Sequence, residues 1–464
     1  MKDAKVRINK ITLWDFKSVA HGVIDLNTMD SFHRGKSSIM GLYGQNASGK
    51  TVLIEVLSII KHIMQGEQVP HRYLESVSVG KDECSIEVEF LIENEEYNFD
   101  CTAIYKCTLA KRDDPNVNEK NNKKIISVIS ECLQARGKVY GEKIPLQDVA
   151  RTNESYSLIL PAKKCALLFG ADTNKLKTIE QQKLLALYGS RSFIFSSQAT
   201  NAMIMTAKSR NEKNVNWPLA IIAYLFGYMG SDTFVINEQA ALNLDFHFMV
   251  KNAIVNRPLE LPGLLGGSIK LSNGSVTFLE EVLHHLNEIL SSIVAGLTVE
   301  YKSEKVSLDN NEGYLVELFS NRKGIGIFPF KNESLGIKKI VSFILLLAEA
   351  YNNPSFTLVV DEIDTSIFEY LLGEMLDIMS SSGKGQLIFT SHNLHPLEKL
   401  DAKSIWFTTT DPKNRYAQMN KKATNNLRNM YLRAIHLGDE ESELYNGNSK
   451  QALAYAFRKM GRNK

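Results

Sequence analysis

The chain is short of cysteine, of long apolar runs and of net charge, and each shortage removes a class of protein. Its five cysteines, Cys84, Cys101, Cys107, Cys132 and Cys165, contain no C-x-x-C pair. An odd number at such spacings offers neither a disulfide framework nor a zinc-ligand set, so small buried side chains are expected. The longest apolar stretch, Ile340–Ala350, is too short for a bilayer and includes Ser342 and Glu349. The first residues alternate charge with apolar side chains and lack a signal-peptide core, so a soluble, cytoplasmic protein without membrane contact is expected. With 54 Lys and Arg against 52 Asp and Glu, the formal net charge is +2. That gives no global field, and any DNA contact would need a local patch. No sustained heptads occur, which argues against a long coiled-coil arm.

What is present suffices for buried cores. At 464 residues and 44% hydrophobic content, roughly two to four structural units are expected. Gly44–Thr51 reads GQNASGKT and follows the apolar run Ser38–Tyr43, so it fits G-x-x-x-x-G-K-[ST] in the strand-to-helix context that pattern needs. Glycines let the backbone wrap an anion, and helix N-terminal amides point at it. Gly44, Asn46, Ser48 and Gly49 would line the phosphates, Lys50 would reach the β- and γ-phosphates, and Thr51 would ligate Mg2+.

In chain order, Val6–Phe16 alternates as a strand, with a second around Val23–Leu26. Lys17 between them suits a solvated strand-end charge as well as a phosphate contact. Strands are expected at Cys84–Ile92, Tyr97–Leu109 and Lys124–Leu133, with Ala110–Lys123 as an exposed hairpin tip. From Thr173 the period turns helical, through Trp217–Met229 and Gln239–Val255, which suggests an inserted helical subdomain. Alternation returns over Gly267–Phe278, then a helix over Leu279–Leu297 and strands at Thr298–Lys305 and Tyr314–Ser320. The expected units are thus an N-terminal lobe (1–172), a helical insertion (173–262), a C-terminal lobe (263–410) and a helical tail (411–464).

Two further apolar runs end in chemistry. Phe356–Val360 suits a strand buried on both faces and leads into Asp361-Glu362-Ile363-Asp364. A parallel sheet projects such acids past its carboxyl edge, where ligands bind. Asp361 would hold Mg2+ and Glu362 would polarise the attacking water; a helix cap is the plainer use of the same acids. Gln386–Thr390 leads into Ser391-His392-Asn393, and His392 is placed to sense a γ-phosphate at that edge. Ser334 and Gly336, in S-x-G before the helix starting near Ile340, read either as a nucleotide signature or as a capping variant.

Taken in this order, ITLWDFKSV (Ile11–Val19), GQNASGKT, NESLGIKK (Asn332–Lys339), LVVDEID (Leu358–Asp364) and FTSHN (Phe389–Asn393) resemble an ABC-type ATPase head of the AAA15, SMC and RecF-like class. The resemblance implies an α/β fold: a P-loop NTPase with a mixed-sheet lobe, an inserted helical subdomain and a C-terminal lobe bearing the second acidic motif. It implies ATP and Mg2+ as cofactors, and a homodimer or higher homo-oligomer with ATP sandwiched between copies. Ser334 and Gly336 would then act in trans, with Asp364 coupling the two sites. The full L-S-G-G-Q signature is shortened here to S-L-G, similar to the AAA15 form. Gln198 is the one candidate for a Q-loop glutamine.

AAA15-like ATPases often serve bacterial anti-phage defence. OLD-type members carry a Toprim nuclease, whereas Leu394–Lys464 shows no such cluster of acids. A separate nuclease-like effector and a phage-protein trigger are therefore expected, in a layout similar to the ATPase subunit of the PARIS system. A RecF- or SMC-like DNA-repair ATPase binding duplex DNA directly is the alternative, with Lys338, Lys339 and the C-terminal basic residues as its patch. A transporter subunit is disfavoured by the shortened signature and the helical insertion.

Overall fold

The alternating N-terminal segment forms β1 (Lys5–Phe16), which turns at Lys17 into β2 (Val19–Asp25). The phosphate-loop strand β3 (Ser38–Tyr43) follows, and then the helix Lys50–Met64. In this computed structural model residues 4–418, Tyr455 and Lys459 are described, apart from 46–47, 115–123, 155–160, 210–215, 238–245, 249–250, 253–254, 257–258, 262, 309–310, 366 and 368. Next come β4 (Glu83–Asn94), β5 (Phe99–Asp113), β6 (Lys124–Val139) and β7 (Glu142–Asn153). With β1 and β2 they build an antiparallel sheet in the order β2-β1-β4-β5-β6-β7. The expected hairpin tip begins later than Ala110, since the β5–β6 ladder runs on to Asp113 and Lys124. The edge strand β7 escaped the sequence reading because Pro145 and a mostly solvent-facing pattern interrupt its alternation, as edge strands tolerate.

Helices Thr173–Tyr188, Ser197–Ser209 and Trp217–Gly227 occupy the expected helical stretch. Their buried residues, among them Ile179, Ala199, Met203 and Ile221, join the core that also holds Ile86, Val88 and Tyr105 of the antiparallel sheet. β8 (Thr233–Ile236) follows. The helix expected over Gln239–Val255 is not found in the described residues there, which form β9 (Phe246–Phe248), β10 (Lys251–Asn252) and the start of β11 (Val255–Asn256). β12 (Leu259–Leu261) pairs with β9. The expected strand over Gly267–Phe278 ends early. β13 (Ile269–Ser272) stops where the Ser272 hydroxyl accepts from Ser275 N at 3.3 Å, capping the helix Asn273–Ile293. β14 (Leu297–Leu308), β15 (Asn311–Arg322) and β16 (Gly326–Pro329) complete a small antiparallel sheet with β13.

The helix Leu335–Asn352 leads to β17 (Thr357–Val360), the helix Glu369–Ser382 to β18 (Gln386–Thr390), and β19 (Ile405–Thr408) and β20 (Tyr416–Gln418) follow. The region from 411 was expected to be helical throughout; Tyr416–Gln418 is a strand, and beyond it only Tyr455 and Lys459 are described. The central sheet has the order β20-β19-β3-β18-β17-β8 and is parallel except for β20. The α/β fold with a mixed sheet is therefore as the sequence implied.

Side-chain alternation divides this sheet between two cores. Met40, Leu42, Val359, Ile388 and Trp406 face the helix Lys50–Met64 and the antiparallel sheet. Ile39, Tyr43, Leu358, Leu387 and Phe407 face the helices Leu335–Asn352 and Glu369–Ser382. All residues of β17 and β18 are buried, which is why these strands read as unbroken apolar runs.

Two polar side chains fasten the layers. Arg7 is fully buried and donates to the carbonyls of Lys36 (2.8 Å), Pro354 (3.1 Å) and Lys384 (2.5 Å), gripping the turns that lead into β3, β17 and β18. Burial pulls its pKa down to about 10. The Gln386 amide accepts from Ile8 N (3.2 Å) and donates to Ile8 O (2.8 Å), supplying the bonds β2 no longer provides at that point of β1. Among the described residues no helix is long and apolar enough to cross a membrane.

Candidate active site

Because β3, β17, β18 and β19 are parallel, their carboxyl ends open on one edge, where the residues predicted to follow β3, β17 and β18 gather. Gly49 adopts φ 100° at the start of the helix Lys50–Met64 and gives it no side-chain cap. The first-turn amides are therefore left to whatever binds in the loop. A Cβ on Gly44 would meet Thr408 Oγ1 at 1.8 Å, so only glycine fits. Ser48 Oγ donates to Gln45 O at 2.6 Å and meets Thr408 Oγ1 at 2.5 Å. Asn46 lies outside the described residues.

Lys50 is almost wholly buried and folds back on the loop, donating to Gly44 O (2.9 Å) and Gln45 O (2.7 Å). Burial lowers its pKa, against the opposing pull of Asp361, Glu362 and Asp364. The acids at the end of β17 act on the Lys50 ammonium in the opposite sense to its burial. Thr51 is exposed beside it.

At the end of β17, Asp361 is buried and its Oδ1 accepts from Thr390 Oγ1 at 2.5 Å. Glu362 follows in a left-handed conformation, φ 49°, with its N–H given to the same Thr390 oxygen at 2.8 Å. A non-glycine residue held there stores strain, as functional turns do. His392 Nε2 stands 4.0 Å from Glu362 Oε1, both side chains being partly exposed. Asp364 accepts from the backbone N–H of His392 (3.2 Å) and Asn393 (3.0 Å), so within its own chain it fixes the loop that carries the histidine.

Lys17 lies in the left-handed region, φ 51°, and its ammonium pairs with Glu55 at 2.5 Å. Both line, with Ser18, Gly49, Lys50 and Thr51, a cleft of about 320 Å3 beside the phosphate loop. Ser334 and Gly336 are not part of that cleft. Ser334 caps the helix Leu335–Asn352, its Oγ accepting from Ile337 N at 3.3 Å, and is exposed. The preceding Glu333 is buried and held by Arg322 through bonds of 3.0 and 2.8 Å. Gln198 belongs elsewhere: its neighbours Phe195 and Ser196 crowd Gly66, past the far end of the helix Lys50–Met64, about 22 Å from the loop for 15 helical residues.

Several contributors were not singled out from sequence. Thr390 lies within FTSHN, and its neighbours in sequence assign it no role. The C-terminal strands supply Thr408 and Tyr416, whose hydroxyl donates to Gly49 O at 3.1 Å, and the loop before β20 supplies Arg415, which donates to Ser18 O at 2.7 Å. Arg415 thereby ties the Lys17–Ser18 turn to the hairpin behind the phosphate loop.

No protein-family model matches the chain, and no curated protein sequence does. Among solved structures it is similar to the Smc head domain with a coiled coil and joint from Pyrococcus yayanosii, at 11% identity and TM-score 0.45, over 92% of this chain and 99% of that one. The Smc head domain bound to the C-terminal domain of ScpA, from Pyrococcus furiosus, gives 12% identity and TM-score 0.43, over 89% and 96%. The recombination mediator protein RecF with ATP gives 11% and 0.36, over 90% and 100%. Likeness at these values fixes neither family nor function.

Proposed function

We propose that the chain is an ATP-binding and hydrolysing head of ABC type that works as a nucleotide-gated sensor or scaffold in anti-phage defence, controlling a separate effector. The observation that carries the ATPase reading is the meeting of four parallel strand ends on one sheet edge, which gathers the Gly44–Thr51 loop, Asp361, Glu362 and His392 there. The defence assignment rests on the motif resemblance alone.

The residues fit the nucleotide and its metal. The uncapped helix start and the glycine-only approach at Gly44 suit a phosphate chain, and Thr51 with Asp361 offers the hard oxygen donors Mg2+ prefers. The ion supplies charge neutralisation on the phosphate oxygens. Lys50 leaves the Gly44 and Gln45 carbonyls to hold the β- and γ-phosphates. Glu362 takes the proton of the water that attacks the γ-phosphorus as the bond to the ADP oxygen breaks. His392, next to Glu362, contacts the γ-phosphate and reports its presence to the loop that Asp364 holds. Ser334, exposed, and Gly336, half-buried, lie outside this cleft and complete the site of a second copy.

Equilibrium ATP binding tests the reading. Lys50→Ala should weaken it at least about 100-fold, about 2.7 kcal/mol. Unchanged affinity would overturn the assignment of Gly44–Thr51, and salt-sensitive duplex-DNA binding by the intact chain would favour the repair reading instead.

A further inference from the structure

The geometry points to Thr390 as the positioning residue for both acids of the proposed ATPase site, an inference that rests on that reading of Asp361 and Glu362. One hydroxyl serves two residues at once. Thr390 Oγ1 donates to Asp361 Oδ1 at 2.5 Å and accepts the N–H of Glu362 at 2.8 Å, while Thr390 O accepts from Ile363 N at 3.0 Å. Three successive residues at the end of β17 are thus held by one residue at the end of β18.

The hydroxyl is fully buried, so water does not compete for either bond and losing it leaves buried polar groups unmet. Its donor proton goes to Oδ1 of the Asp361 carboxylate. Its lone pair takes the Glu362 N–H, which a left-handed backbone at φ 49° turns toward β18. That turn directs the Glu362 side chain toward His392, 4.0 Å away. Strained backbone of this kind persists only where its surroundings over-determine it; here the Thr390 hydroxyl holds the Glu362 N–H while Thr365 N donates to Glu362 O at 2.9 Å. Thr390 also stands two residues before His392, on the strand whose end carries the histidine. The histidine loop and the acid-bearing segment are thus joined at two places, by Thr390 and by the Asp364 carboxylate. Thr390 touches neither nucleotide nor water in this account and acts only through Asp361 and Glu362.

Thr390→Val keeps the shape of the side chain and removes the hydroxyl; Thr390→Ser keeps the hydroxyl and removes a methyl. ATP binding in EDTA should be unchanged in both variants, because the hydroxyl bonds Asp361 and Glu362 and, among the described residues, none of the phosphate loop. With Mg2+ the valine variant should lose at least tenfold in kcat, and serine should restore most of it. A readout free of nucleotide is hydrogen exchange in the peptide spanning residues 358–365, which should quicken in Thr390→Val and not in Thr390→Ser. Exchange and turnover in Thr390→Val within twofold of wild type would overturn the proposal. So would equal defects in valine and serine variants, or an equal loss of ATP affinity in EDTA, which marks a merely structural role. If the wild-type chain binds no ATP, the function reading fails while the exchange comparison still decides the role of Thr390.

Discussion

The Ser48 and Thr408 hydroxyls meet at 2.5 Å, which joins the phosphate loop to the end of β19. The same Thr408 oxygen occupies the space where a Cβ on Gly44 would fall. Gly44→Ala should therefore weaken ATP binding more than tenfold by pushing the loop off β19. Thr408→Ala opens that space, and the double variant should recover part of the loss, a non-additivity of about 1 kcal/mol in a double-mutant cycle. Strict additivity in the measured affinities would contradict the contact.

Arg7 offers a stability test remote from the nucleotide. Arg7→Met fills the cavity but leaves the Lys36, Pro354 and Lys384 carbonyls without their donor. Unmet buried acceptors cost roughly 1–3 kcal/mol each, so chemical denaturation should show a loss of about 3 kcal/mol or more. A loss under about 1 kcal/mol would mean that water replaces the guanidinium.

Glu131 gives a pH dependence with a definite sign. Its fully buried carboxylate accepts from Tyr105 (2.7 Å), Ser192 (2.5 Å) and the backbone N–H of Phe193 (2.9 Å), and burial outweighs these bonds to raise its pKa above 4.5. In the pH range between 4.5 and that raised value the folded chain holds the proton that the unfolded chain has lost. The stabilising contribution of Glu131 is thus full below 4.5 and falls as pH rises through the folded value. The stability difference between wild type and Glu131→Gln, measured by urea unfolding at pH 4.5 and pH 7.5, should shrink at the higher pH. A difference that grows with pH would show the donors holding the carboxylate ionised.

Much of the site was legible because its chemistry sits in contiguous stretches. GQNASGKT, the doubly buried runs before Asp361 and before His392, and the serine cap at Ser334 each need only neighbours in sequence. What escaped needs partners far away. Thr408 reaches Ser48 across 360 positions, Arg415 reaches Ser18 across 397, and Thr390 earns its role only once β17 and β18 are paired. Strand β8 was hidden for a different reason: its four residues follow directly on a buried helix, and no alternation develops over so short a run. Ser272 reads equally as a turn residue within a strand and as a helix cap, and only the Ser275 amide decides between them.

In the proposed assembly, nucleotide joins two copies through Ser334 and Gly336 of one and Lys50 of the other. Light scattering on size-exclusion chromatography of Glu362→Gln tests it most directly, since that variant binds ATP without supplying the base that turns it over. A dimer or higher assembly is expected with ATP and Mg2+, returning to the ATP-free state when Ser334→Arg is added. An elution mass for Glu362→Gln that is the same with and without ATP, at nucleotide concentrations where binding is saturated, would contradict it.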